Sequence, residues 1–276
     1  NEPPVDYLAK LAKSYRFTDS GGIGQLAKAI IKGDDKTSWS LLNSGGDEAC
    51  LADADDFNEW LSRLTDDHYA SVSKCQEVEQ ALETFSRFRI LAATRVGNRG
   101  VDTINTEIDR IIKRRLSVPI NTMFYHGCPI LITENSYDCG LYNGDTGLIW
   151  RHENRLQAAF QGGDGDIRWL SLSRLPSFEL VYAMTIHKTQ GSEFDRIAIT
   201  LPEYHSPILS RELIYTGVTR AKKALEVYSD QQVWRNGVQK RVSRNSGLFD
   251  KLYHGAVSST DTEQTDYHDP SQIDLF

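Results

Sequence analysis

The run FRILAATR at residues 88–95 constrains the fold of this chain more than any other feature. It is largely apolar and turns polar at its end. That pattern fits a strand buried in a parallel sheet, with its carboxyl end entering a site. Helical periodicity lies on both sides of it. Val5, Leu8, Leu11 and Ala12 space a helix over 4–15. A second helix is predicted at 25–32 and closed by Gly33, a residue suited to a C-terminal cap. Further helices are expected at 57–64 and 74–85. After the strand, residues 100–113 place Val101, Ile104, Ile108, Ile111 and Ile112 on one face. The acidic stretch 34–56 reads as a loop with one short strand near 39–42. Helix and strand thus alternate up to about residue 118, as a layered α/β domain requires.

From Pro119 to Pro176 the texture changes to short strands and turns, including CPILITEN, GLIWRHE, LQAAF and IRWLSLS. Asn143-Gly144 and Gly163-Asp164-Gly165-Asp166 are hairpin turn signals. A small antiparallel barrel or meander is expected over 119–177, inserted in the α/β domain, whose halves are then 1–118 and 178–255. The α/β pattern resumes at Phe178 with LVYAMTIH as a strand and RIAITLP as another. RELIYTGVTRAKKA is expected as an amphipathic helix and LEVYSD as a last strand. Residues 256–276, rich in Ser, Thr, Asp and Gln, read as a flexible polar tail.

The 276 residues are 39% hydrophobic and 25% charged, ordinary for a globular protein, and contain no run long enough to span a bilayer. A cytoplasmic location is expected. NEPPVDYLAK lacks the basic and apolar regions of a secretory signal and reads as a cut rather than a natural beginning. A net charge of −7 argues weakly against nucleic acid, but the acid is clustered at 34–83, whereas 87–115 and 211–244 are basic, and local charge decides where a phosphate backbone can lie. Cys50, Cys75, Cys128 and Cys139 form no C-x-x-C pair, so reduced thiols and no metal site are expected.

Three strings carry chemistry. In AMTIHKTQGSEFD, residues 183–195, a strand ends at Thr185 and His187, Lys188, Gln190, Gly191, Ser192 and Glu193 crowd one loop. Hydroxyl, ammonium, amide and free backbone N–H groups together suit phosphate and sugar contacts, and Gly191 permits close backbone approach. In YTGVTRAKK, residues 215–223, Arg220 offers a planar, permanently charged fork to a phosphate, although a surface ion pair is the commoner fate of one arginine. In KSYRF, residues 13–17, Arg16 lies between two aromatics, where most arginines stack or pair structurally.

In this order the strings resemble the later motifs of superfamily-one helicases, and more closely those of the RecD type, the alpha subunit of exodeoxyribonuclease V. SGGIGQLAKAI, FRILAATRVGNRGVDTIN, the LYNGDTG turn and SRNSGLF extend the resemblance from Leu11 to Phe249. It implies the second RecA-like motor domain of an ATP-dependent 5′-to-3′ DNA helicase of break repair and recombination, using ATP and Mg²⁺ and working with RecB- and RecC-like subunits. By the same resemblance Arg16 and Arg220 match arginines that reach the γ-phosphate, and Glu193 matches the residue that bonds the ribose. Gln190 and Gly191 match the loop linking nucleotide state to DNA grip. Thr185, His187 and Lys188, with Thr94, Arg95 and Asn105, lie where the family meets single-stranded DNA.

No G-x-x-x-x-G-K-[ST] occurs in the chain. Gly33-Asp34-Asp35-Lys36-Thr37 has an aspartate where a small glycine is needed. Asp47-Glu48 mimics a magnesium-binding pair but has no apolar strand before it. Both read as decoys, the first motor domain is expected to be missing, and the chain alone is expected to be inactive as an ATPase. A stand-alone RecD-like helicase and a non-catalytic DNA-binding scaffold are the alternatives; two γ-phosphate arginines argue against the scaffold. Finally, Gln272, Leu275 and Phe276 in the terminal QIDLF resemble a peptide that docks on the bacterial sliding clamp.

Overall fold

The computed structural model describes residues 21–163 and 165–242. The helix expected at 4–15, Arg16 with its SYRF string, Asp164, SRNSGLF and QIDLF lie outside the described residues.

In chain order the elements are α1 (Gly22–Lys32), α2 (Asp35–Asn43), β1 (Ala49–Leu51), α3 (Phe57–Leu64), α4 (Val78–Ser86), β2 (Phe88–Ala92), α5 (Val101–Arg115), β3 (Cys128–Ile132), β4 (Thr146–His152), β5 (Arg155–Gln161), β6 (Ile167–Ser171), β7 (Phe178–Leu180), β8 (Ala183–Thr185), β9 (Phe194–Thr200), α6 (Arg211–Val218), β10 (Ala221–Tyr228) and α7 (Gln231–Gln239). Short single-turn helices fill several of the connections.

Five strands form a wholly parallel sheet in the order β1-β10-β9-β2-β8. All five residues of β2 are buried, four of them apolar and the fifth Arg89. The helices pack in two groups, α1, α2, α6 and α7 against one another and α3 against α5. This is a mixed α/β fold of the RecA-like kind, with a second, antiparallel sheet. α4 packs on β2 and also on β4 and β5, and so touches both sheets.

The cap expected at Gly33 is present: its φ of 77° lies in the left-handed region and its N–H bonds the carbonyls of Ala29 and Ile30. The stretch 34–56 differs from its reading as a loop with a strand at 39–42. Asp34 accepts from the Thr37 N–H and starts α2, and the strand lies later, at β1. The partner that makes α2 worth forming is α7. Trp234 donates to Ser38 at 3.0 Å, and Asp35 receives Arg235 and Gln239. The Lys-Thr decoy is therefore a helix cap. The other decoy is structural too: Glu48 accepts from the Ile23 N–H at the start of α1. The expected helix over 74–85 begins only at Val78.

The helix expected over 211–224 stops at Val218. Thr219 donates to the Thr216 carbonyl, Arg220 turns the chain, and AKKA begins β10. The pairing of β10 with β9 is irregular between Ala221 and Ala224, so Lys222 and Lys223 both face solvent in place of strict alternation.

The antiparallel sheet has the order β6-β5-β4-β3-β7, ending on β6 at one side and β7 at the other, so it is an open sheet rather than a closed barrel among the described residues. Its tightest hairpin joins β4 to β5 through Glu153 and Asn154, both with positive φ of 48° and 61°, the geometry that suits the twist of paired strands. β7 pairs with β3. Phe178–Leu180 thus belongs to the antiparallel sheet, and the α/β pattern resumes at Ala183, not at Phe178.

Between β7 and β8 only Val181 and Tyr182 separate the two sheets, and side chains pin the backbone there. Asn105 on α5 donates to the Leu180 carbonyl at 2.9 Å and accepts from the Ala183 N–H at 2.8 Å. Arg89 on β2 donates to the Val181 carbonyl, and the Tyr69 hydroxyl to that of Tyr182. A buried polar group without a partner costs about 1–3 kcal/mol, so this joint needs each of these donors.

Close packing also fixes the loop after β2. A Cβ on Gly100 would stand 2.6 Å from the Arg95 carbonyl oxygen and from Val96 backbone atoms. We expect Gly100→Ala to destabilise the chain by about 1–3 kcal/mol, read as a lower urea midpoint; an unchanged midpoint would show that the loop yields freely.

Candidate functional site

The strand arrangement sorts the candidate residues to two ends of the parallel sheet. Thr94 and Arg95 follow β2, and Thr185 ends β8, at the carboxyl ends. Glu193 immediately precedes β9 and Arg220 immediately precedes β10, at the amino ends. Residues 186–193 run from one end to the other, because β8 and β9 are parallel and flank β2. The crossover is short and includes a single turn of 3₁₀ helix over Ile186–Thr189.

Thr185 caps this turn, its hydroxyl accepting from the Lys188 N–H at 3.3 Å. Ile186 and Thr189 are buried and anchor it, whereas His187, Lys188, Gln190, Gly191 and Ser192 are exposed. Gly191 has a φ of 89°, a left-handed conformation that glycine adopts readily, and a Cβ there would meet nothing within 4 Å. Its role is therefore backbone freedom rather than close approach to a neighbour within the chain.

Arg220 is 7% exposed and folds back onto this crossover. Its guanidinium donates to the Ser192 carbonyl at 3.1 Å, reaches that of Thr189 at 3.5 Å, and also bonds the Thr216 carbonyl of α6. Two strings that are separate in sequence thus meet at one point. Glu193, half-buried, lies 3.6 Å from Lys222.

At the carboxyl end, Arg95 and Lys188 share one carboxylate. Glu179 on β7 accepts from Lys188 Nζ at 2.6 Å on one oxygen and from Arg95 Nη2 at 2.9 Å on the other. Burial pushes this carboxyl up, but the hydrogen bonds from Lys188 and Arg95 outweigh it and hold Glu179 below the usual glutamate range. Arg95 also lies 3.4 Å from Asp102 in the first turn of α5. Thr94 is half-buried, and its carbonyl accepts from the Val101 N–H.

Asn105 departs from its expected role. It is 8% exposed, and both ends of its amide are engaged by Leu180 and Ala183. It holds the joint between the sheets and presents nothing to a ligand.

Two residues of the site escaped the sequence reading. Glu179 gave no local signal, since its partners lie 84 and 9 positions away. Arg89 gave one: it is the lone charge inside an apolar strand. It is 3% exposed, stacked on Phe85 with its guanidinium carbon 4.1 Å from the ring centre, and burial draws its pKa down to about 10. With Lys188, Ser192, Phe194 and the Asn143 turn it lines a cleft of about 580 Å³ between the crossover and the antiparallel sheet. Among the described residues no group of three or more His, Cys, Asp or Glu is placed to hold a metal ion, and no helix is long and apolar enough to cross a membrane.

Comparison with known proteins gives the following. Residues 180–228, which cover the crossover and Arg220, match the family described as the UvrD-like helicase C-terminal domain. The chain is 34% identical over 272 residues to the RecBCD enzyme subunit RecD of Haemophilus influenzae, covering 90% of this chain and 41% of that one. It is 35% identical over 253 residues to the same subunit of Mycolicibacterium smegmatis, covering 91% and 44%. The chain therefore spans less than half the length of these relatives. Among solved structures, the Pif1 helicase from Bacteroides in complex with ADP-AlF3 and ssDNA aligns with a TM-score of 0.48 at 14% identity, over 90% of this chain and 57% of that one.

Proposed function

The chain belongs with the RecD-type superfamily-one helicases, and on that premise we propose that it is the second motor domain of an ATP-dependent 5′-to-3′ DNA helicase. Among the described residues the domain is built from 21–118 and 183–242 around an inserted antiparallel sheet that runs on through Leu180. The full-length protein would use ATP and Mg²⁺ and act with RecB- and RecC-like subunits, as exodeoxyribonuclease V, in double-strand break repair. One observation carries this reading: the Arg220 guanidinium is bonded to the loop that holds Gln190, Gly191 and Glu193.

Arg220, with Arg16, supplies positive charge to the γ-phosphate of a nucleotide held mainly by the first motor domain, and Glu193 bonds the ribose. A planar fork matches the charge that develops on the equatorial phosphoryl oxygens. Phosphate arriving at Arg220 competes with the carbonyls of Thr189 and Ser192. The crossover through Gln190 and Gly191 then shifts, and its far end carries Thr185, His187 and Lys188. There, with Thr94 and Arg95, it meets the backbone of single-stranded DNA. Nucleotide state and DNA grip are so linked through one short segment.

The expected result is weak single-stranded DNA binding by the 276-residue chain that falls with salt. Each phosphate contact contributes about −0.7 to the slope of log K against log salt, so Arg95 and Lys188 give at most about −1.4, reached when both are free to take phosphate. Fluorescence anisotropy with a labelled oligothymidylate measures it, and affinity independent of salt would refute the contacts. No ATP turnover is expected, because no string in these residues can cradle the β- and γ-phosphates. The sliding clamp is proposed as a further partner through Gln272, Leu275 and Phe276. Loss of clamp binding on changing Leu275 and Phe276 to Ala supports it, and no binding by the intact peptide refutes it.

A further inference from the structure

The two basic side chains proposed to meet the DNA backbone are the two that Glu179 holds. The carboxylate receives Lys188 Nζ on one oxygen and Arg95 Nη2 on the other, at 2.6 and 2.9 Å. A carboxylate and a phosphodiester offer these donors the same thing, a pair of anionic oxygens. The cations arrive from different elements, the loop after β2 and the turn after β8, and converge only here. Glu179 cannot follow them if they leave. It sits on β7, whose backbone pairs with β3 and whose next carbonyl, that of Leu180, is held by Asn105. Each cation, by contrast, has somewhere to go. Arg95 has Asp102 at 3.4 Å, and the Lys188 side chain is 40% exposed.

We propose that Glu179 is an internal competitor for phosphate, which sets the strength and the salt sensitivity of single-stranded DNA binding by occupying Arg95 and Lys188. The proposal rests on the reading that these two residues face DNA. A bound phosphate must displace the carboxylate from at least one of them. The antiparallel sheet, which carries Glu179, thereby tunes the grip of the motor domain without contacting the bases. Lys188 is the more consequential partner, because Arg95 retains Asp102 when Glu179 is neutralised.

The test is Glu179→Gln in the 276-residue chain, titrated with a labelled oligothymidylate over a range of salt. One negative charge removed from within about 5 Å of a phosphate raises affinity by roughly three- to tenfold at low salt. A freed Lys188 steepens the log–log slope by about 0.7. Adding Lys188→Ala to the variant should erase the gain. Thermal melting checks the fold, since a half-exposed ion pair contributes little to stability, and Glu179→Ala must behave in the same direction. If the unaltered chain binds and Glu179→Gln binds equally or more weakly, Glu179 positions the cations instead and the competition is refuted. If neither protein shows salt-dependent binding, the DNA reading fails and the competition falls with it. Binding by the variant alone supports the competition in its strongest form.

Discussion

Replacing Arg220 with alanine, in a protein that pairs this domain with a phosphate-binding loop, is expected to slow DNA-stimulated ATP hydrolysis by about 10³-fold or more. The guanidinium is the cation at the amino end of the parallel sheet that is bonded to both α6 and the crossover. On the proposed role, its loss would remove charge stabilisation where phosphoryl transfer develops it. Arg220→Lys should recover little, because an ammonium cannot donate as a planar fork and leaves one of the Ser192 and Thr216 carbonyls unsupported. A structural role alone predicts something else: a lower melting temperature with ATP turnover reduced only in proportion to unfolded protein. Steady-state turnover measured beside a melting curve separates the two. Turnover within tenfold of the unaltered protein would remove Arg220 from the ATP site.

The other large effect lies at Asn105. Truncation to alanine leaves the Leu180 carbonyl and the Ala183 N–H without their partners in a buried setting, and a loss of about 2–4 kcal/mol is expected from urea unfolding. Asn105→Asp is the sharper variant. Its shape is nearly unchanged, and one carboxylate oxygen still accepts from Ala183. The other faces the Leu180 carbonyl, acceptor against acceptor, so this variant should lose at least as much stability. The Ala183 amide should also exchange its hydrogen faster in the alanine variant. A change below about 0.5 kcal/mol in both variants would mean that the joint is held without this side chain.

The contrast between these residues shows what could be read from the sequence. β2 was legible because burial on both faces leaves a run that is apolar but for Arg89, and Gly33 because a left-handed cap favours glycine. The order of the functional strings was legible because each is short and local. α2 was not, because Ser38 and Asp35 find their partners on α7, about 200 positions away. Nor was the end of α6, where a basic run with helical character is taken over by pairing with β9. Asn105 was assigned to DNA because a resemblance gives a residue's position but not the direction of its side chain. Glu179 was invisible for a related reason. An acidic residue in a short strand is unremarkable until the fold brings two cations onto it.

The joint at Leu180–Ala183 bears on how the insertion could have been acquired or could be moved. The antiparallel sheet looks in sequence like a cassette bounded by residues 119 and 177, ready to be cut out or grafted. It is not one. Its edge strand β7 lies past that boundary and runs within two residues into the parallel sheet, and the connecting carbonyls are held by Asn105, Arg89 and Tyr69 from three separate elements. A transplant cut at those limits would strip β3 of one of its two neighbours and leave β7 in the host without its partner strand, still pinned to the host by those side chains. The smallest heritable unit therefore comprises the sheet together with its sockets in the host, and loss or gain of the insertion requires those distant positions to change in concert.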